Sequence, residues 1–119
     1  MVVEDEADIR AFLKDYLTIM GYSVMLADNG REALDILADW SPDLVMLDIV
    51  MPVMDGLTFL KIRQADPVLR TIPVLVMTAS FSLLDVPSTA DGVVPKPFPL
   101  DQLSHQVRAL VASRISEAR

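Results

Sequence analysis

Cysteine is absent from the 119 residues, which excludes disulfides, thiol nucleophiles and thiolate metal sites. Histidine is nearly absent too: His105 stands alone, so a multi-histidine zinc centre cannot be assembled. No apolar run approaches the roughly 20 residues needed to span a bilayer, and the N-terminus lacks the basic and apolar regions of a signal peptide. No basic run occurs, and the formal net charge is −7, which argues against nucleic acid as a direct partner because phosphate backbones select clustered Lys and Arg. The expectation is a soluble, cytoplasmic chain with no direct contact to nucleic acid or membrane. Its chemistry must come from carboxylates, hydroxyls and lysine.

Hydrophobic residues make up 52% of the sequence and charged residues 23%, a globular composition. The length suits one domain over residues 1–119. Short apolar runs alternate with longer helical patterns, the signature of a parallel sheet covered on both faces. Met1-Val2-Val3 reads as a first strand that stops at Glu4-Asp5. Ile9, Phe12, Leu13, Tyr16, Leu17 and Met20 then recur at helical spacing, and Gly21 stands where a left-handed residue would end that helix. A second strand is expected over 23–26, and Asn29 can cap the next helix, with Ala33, Leu34 and Leu37 inward. Residues 44–47 read as a buried third strand closing at Asp48. Pro52 and Asp55-Gly56 mark a turn into a third helix ending near Gln64. Residues 72–77 form a fourth strand with Pro73 at its start, and Val93-Val94 a brief fifth. The last helix begins near Leu100, with Leu103, Val107, Leu110, Val111 and Ile115 facing inward. Five strands with helical connections predict an α/β, doubly wound parallel sheet, whose ligands bind beyond the carboxyl ends of the strands.

At those ends stand Glu4 and Asp5, Asp48, Thr78 and Lys96. In a parallel sheet they share one edge, so three carboxylates, a hydroxyl and an ammonium converge from distant parts of the chain. Close carboxylates repel unless a cation compensates. A hard divalent ion answers that need, and magnesium suits a site with few carboxylates and several waters. Asp48 is then placed to act as a carboxylate nucleophile toward phosphorus, with Lys96 as a point charge for the phosphoryl group and Thr78 as a hydroxyl donor. Each residue alone has a plainer reading: a solvated acidic turn, a strand-end carboxylate, a structural hydroxyl, a surface lysine. Their coincidence at successive strand ends outweighs those readings.

Val-Val-Glu-Asp-Glu at the start, Asp-Leu-Val-Met-Leu-Asp-Ile-Val-Met-Pro-Val-Met-Asp-Gly in the middle, Val-Met-Thr-Ala-Ser, and Pro-Lys-Pro-Phe near the end closely resemble the receiver domains of two-component response regulators. The resemblance covers nearly the whole chain. It implies a flavodoxin-like, chemotaxis-receiver-like five-stranded sheet in the order 2-1-3-4-5, and a phosphorelay signalling module rather than an enzyme, apart from catalysing its own dephosphorylation. By the same resemblance Asp48 is the phosphoacceptor, and Mg2+ is held by Asp5, Asp48 and the backbone carbonyl of Val50, with Glu4 reaching it through water. Thr78 matches the switch hydroxyl, Lys96 the motif lysine, and the Lys96–Pro97 bond one that is usually cis. Implied partners are a histidine kinase or histidine phosphotransferase and a downstream protein, with the chain a monomer or weak dimer.

Three departures stand out. Met1-Val2-Val3 alone precede the acidic pair, a late start that leaves the central strand short. The interval from Thr78 to Lys96 is short by roughly one helical turn, so a shortened or irregular fourth helix is expected there. Val93 occupies a position commonly Tyr or Phe, which precludes coupled rotation of hydroxyl and aromatic ring and points to an altered partner surface around residues 80–94. No effector domain is expected after the last helix. The competing reading is a phosphorylation-independent interaction module on the same fold. An aspartyl phosphatase is disfavoured, because Val50 stands where a second acid would be needed. Asp55-Gly56 is assigned a turn and no chemistry, and His105 a solvated position.

Overall fold

The computed structural model describes residues 1–49, 53–78 and 89–117, with side chains to residue 114. Its strands are β1 (Val2–Val3), β2 (Leu26–Ala27), β3 (Val45–Asp48), β4 (Val74–Thr78) and β5 (Gly92–Pro95). They form one parallel sheet in the order β2-β1-β3-β4-β5, as the resemblance to receiver domains implies. The helices among the described residues are α1 (Ala7–Ile19), α2 (Gly30–Leu37), α3 (Gly56–Ala65) and α4 (Leu100–Glu117). The expected irregular fourth helix falls on residues outside those described, as do Val50 and Pro52.

Alternation along the strands explains why both faces are covered, since successive side chains point to opposite sides. Val3, Val45, Leu47, Val74 and Val76 pack with Ala33 of α2 and with Phe59 and Leu60 of α3. Val2, Met46, Leu75, Met77 and Val94 pack with Leu13 and Leu17 of α1 and with Leu103 and Val107 of α4. The central strands are therefore apolar throughout.

Local signals set the helix ends. After α1, Gly21 has φ +101°, its amide bonds Thr18 O at 3.0 Å, and the Tyr22 amide bonds Leu17 O at 3.1 Å. Those two bonds make a Schellman close, which needs the left-handed residue that glycine supplies. Asn29 caps α2 through the Glu32 amide at 2.9 Å, and Asp55 caps α3 through the Thr58 amide at 2.8 Å.

Several boundaries differ from the sequence expectation. The second strand forms at Leu26–Ala27 rather than over 23–26, because β1 offers only Val2 and Val3 to pair with it. The fourth begins at Val74, after a 3₁₀ turn at Leu69–Thr71, since Pro73 has no amide and serves β3 only as an acceptor for the Val45 N–H. Phe12 is 45% exposed and stacks on Tyr16 instead of facing the core. Ile115 belongs to α4, but its side chain is outside the described part.

Candidate functional site

Register carries the functional residues to one edge. Val3 pairs with Leu47, so Glu4 and Asp48, the next residues along, emerge side by side. Asp48 pairs with Met77, and Thr78 follows at the end of β4. Thr78 pairs with Pro95, and Lys96 comes one step later, its amide bonded to Thr78 O at 2.9 Å. The five residues expected from the sequence at this edge are all brought to it. Val50 lies outside the described residues.

Glu4 is fully buried and Asp48 and Thr78 nearly so, whereas Asp5 is exposed. Lys96 Nζ donates to Glu4 Oε1 at 2.5 Å and to Asp48 Oδ2 at 3.1 Å. The Asp5 amide donates to Glu4 Oε2 at 3.1 Å. One carboxylate oxygen from each of Glu4, Asp5 and Asp48 lies within 4.8 Å of the others. Three carboxylates against one ammonium leave two excess negative charges when all are ionised.

The electrostatics record that imbalance. Burial, reinforced by the neighbouring Asp48, pushes the Glu4 carboxyl up to about 8 in spite of Lys96. For Lys96, burial resists the charged form, but its bonds to Glu4 and Asp48 outweigh that and hold its pKa above the ordinary lysine value. A pocket that drives one carboxyl toward its neutral form has an unmet demand for positive charge. The donor set is all oxygen, compact and open on the Asp5 side, so it fits a small hard divalent cation. Lys96–Pro97 is a cis peptide bond, as the resemblance implies.

One functional glycine had no signal in the sequence beyond its turn. The Gly56 amide bonds Ile49 O at 2.8 Å, and a Cβ on Gly56 would lie 2.6 Å from Ile49 Cα and 2.7 Å from Asp48 O. Gly56 therefore lets the start of α3 lie directly against the backbone that carries Asp48. Arg63 likewise carries no signal in the sequence. This buried arginine bonds Ile72 O through Nε at 3.1 Å and Nη2 at 2.8 Å, Thr89 O at 2.8 Å and Asp91 Oδ2 at 2.9 Å, while Asp91 also accepts the Val74 amide at 2.9 Å. It ties α3 to the entrances of β4 and β5. In sequence it reads as one more charged residue on a helix.

Comparison with known proteins agrees with this geometry. Residues 1–108 match the family model described as the response regulator receiver domain. Response regulator MprA of Mycolicibacterium vanbaalenii is 42% identical over 115 residues, covering 93% of this chain and 49% of that protein. The chain thus spans about half the length of the curated relatives it matches. The response regulator TrrA of Thermotoga maritima, solved in complex with Mg(2+)-BeF, superimposes with a TM-score of 0.81 at 38% identity, covering 92% of this chain and 95% of that one. The chemotaxis response regulator CheY4 of Vibrio cholerae gives 0.84 at 29% identity, covering 92% and 94%.

Proposed function

Because the chain belongs to the response-regulator receiver family of two-component systems, we propose that its acidic pocket is a working phosphoacceptor site with Asp48 as the residue phosphorylated. The observation that carries this reading is the meeting of the Glu4, Asp5 and Asp48 carboxylates with Lys96 bridging two of them. Asp5 and Asp48 would hold Mg2+, with Glu4 in support and the Val50 carbonyl as a further ligand. The ion, when bound, supplies positive charge to the phosphoryl oxygens. An Asp48 carboxylate oxygen forms the new bond to phosphorus as the phosphohistidine P–N bond breaks, and the electron pair leaves with the imidazole nitrogen. Lys96, already held between two carboxylates, turns its ammonium to a phosphoryl oxygen, and Thr78 offers its hydroxyl to another.

On this reading the donor is a histidine kinase or histidine phosphotransferase, and the output a contact with a downstream protein. The chain acts in the cytoplasm as a monomer or weak dimer, and hydrolysis of the aspartyl-phosphate in the same pocket ends the signal. That the Thermotoga maritima relative was solved with Mg(2+)-BeF supports the metal assignment by similarity. A second reading, an interaction module indifferent to phosphorylation, rests on Val93, which packs among core residues beside β4 where an aromatic is common. Intact mass after incubation with acetyl phosphate separates the two. The proposal expects a phosphoryl adduct that needs magnesium and is lost in Asp48→Ala. A folded, magnesium-binding protein that takes up no phosphoryl group from either acetyl phosphate or a phosphorylated histidine phosphotransferase would favour the second.

A further inference from the structure

Within the turn that carries the acidic pair, the side-chain support is the Asp5 amide's bond to Glu4 Oε2 at 3.1 Å. Asp5 is exposed, and Glu6, the N-cap of α1, makes no side-chain capping bond. What reaches this turn from outside is Arg10, at the end of the first turn of α1. Its Nη1 donates to Glu4 O at 2.8 Å and to Asp5 O at 3.0 Å, and Asp28 Oδ1 lies 3.4 Å from the same nitrogen. The Arg10 side chain is only 19% exposed, and its bond to Glu4 O is partly buried while that to Asp5 O lies at the surface.

The consequence is geometric. The Glu4 carbonyl belongs to the peptide plane before Asp5, and the Asp5 carbonyl to the plane after it. Fixing both planes fixes φ and ψ of Asp5, and with them the direction of its Cα–Cβ bond. A single guanidinium nitrogen thereby aims a carboxylate that no packing holds. Arginine suits the task because its charge is permanent and its donors are set in a rigid plane.

We propose that Arg10 is a positioning residue for the carboxylate pocket, clamping the backbone of Glu4 and Asp5 so that the Asp5 carboxylate is set before a divalent cation arrives. The proposal rests on the pocket's being a divalent-cation site. Its sign distinguishes it from a plain charge effect. A positive group near the pocket opposes a second cation, so if charge were all that mattered, removing Arg10 would tighten magnesium binding. If positioning dominates, removal weakens it.

The test compares the native protein, Arg10→Ala and Asp28→Asn by two measurements: magnesium affinity, and amide hydrogen exchange in the metal-free state. In Arg10→Ala, magnesium binding is expected to weaken about tenfold, the scale seen when a residue that orients a metal ligand is removed. Without metal, the Asp5 amide, which bonds Glu4 Oε2, should exchange about tenfold faster while β3 amides stay native-like, which shows that the sheet is intact. Asp28→Asn should leave both nearly unchanged, because it removes the ion pair and keeps the carbonyl bonds. Unchanged or tighter magnesium binding in Arg10→Ala overturns the proposal, as does an Asp28→Asn variant that loses as much. If the native protein binds no magnesium, the cation reading of the pocket falls, while the exchange comparison still decides whether Arg10 holds the turn.

Discussion

Glu4 has no contact with solvent, yet it shares its ammonium partner with Asp48, and its carboxyl titrates near 8 rather than in the usual carboxylate range. Its folded-state pKa lies above the unfolded value, so the folded metal-free protein binds more protons between about 4.5 and about 8. Stability from this group is therefore greatest below that window and falls as pH rises through it. The Met1 amino group, pushed down to about 5 by burial, contributes with the opposite sign over nearly the same range, so the Glu4 contribution is read against Glu4→Gln. The stability of the metal-free native protein relative to that variant, from urea midpoints, should decline across the window. Magnesium binding at neutral pH should release protons, visible as a buffer-dependent calorimetric heat. A difference between the two proteins that does not change with pH, together with buffer-independent heats, would refute this. Val53 offers a second test at this scale. It is a β-branched residue at φ 68°, 83% exposed, so it is strained without a packing benefit. Val53→Gly should raise stability by about 1 kcal/mol, the relieved strain being partly offset by glycine's larger unfolded-state entropy, as read from denaturation midpoints. Asp48, Thr78 and Lys96 were legible in the sequence because each ends or follows a short apolar run. Arg10 and Gly56 were not, because what they do depends on backbone groups that only the fold brings to them.

The elements show the same division between local and tertiary signals. Helix ends were readable, since caps and the left-handed glycine act over a few residues. Strand limits were less so, because a strand exists only where its neighbour offers a partner, and β1 is two residues long. The start of α3 depends on Gly56 lying against Asp48 and Ile49. Gly56→Ala should cost about 3 kcal/mol, since both clashing atoms are backbone and cannot step aside cheaply. It should also slow phosphorylation of Asp48 more than Asp66→Ala, which removes the side-chain bonds to the Val68 and Leu69 amides at the other end of α3. Equal phosphorylation rates in the two variants would contradict this role. Arg63 joins α3 to the entrances of β4 and β5, and Arg63→Ala should cost about 3 kcal/mol by leaving buried carbonyls and Asp91 without their donor. Asp91→Ala should cost less, because its carboxylate is 40% exposed. A reversed order in thermal melts would show that the acid dominates the network.

Across the whole molecule, a sheet apolar on both faces leaves its polar chemistry to the edge where the strands end. Parallel pairing in the order β2-β1-β3-β4-β5 places β1, β3, β4 and β5 next to one another, and those four ends carry the acids, the hydroxyl and the lysine. Strand β2 lies outside this set and adds none of the five. That arrangement was foreseeable, because parallel strands with helical crossovers must end on one side. The gathering of one oxygen from each carboxylate within 4.8 Å of the others, and the sharing of Lys96 between two of them, needed the fold itself. The central claim is that this edge accepts a phosphoryl group on Asp48. Its most direct test is to phosphorylate the protein with acetyl phosphate, trap the acyl phosphate by borohydride reduction and locate the product by peptide sequencing. Reduction products at residue 48 alone, formed only when magnesium is present, are the predicted result. Labelling on Asp5 or Glu4 instead, or labelling at residue 48 that proceeds equally well without magnesium, would contradict it.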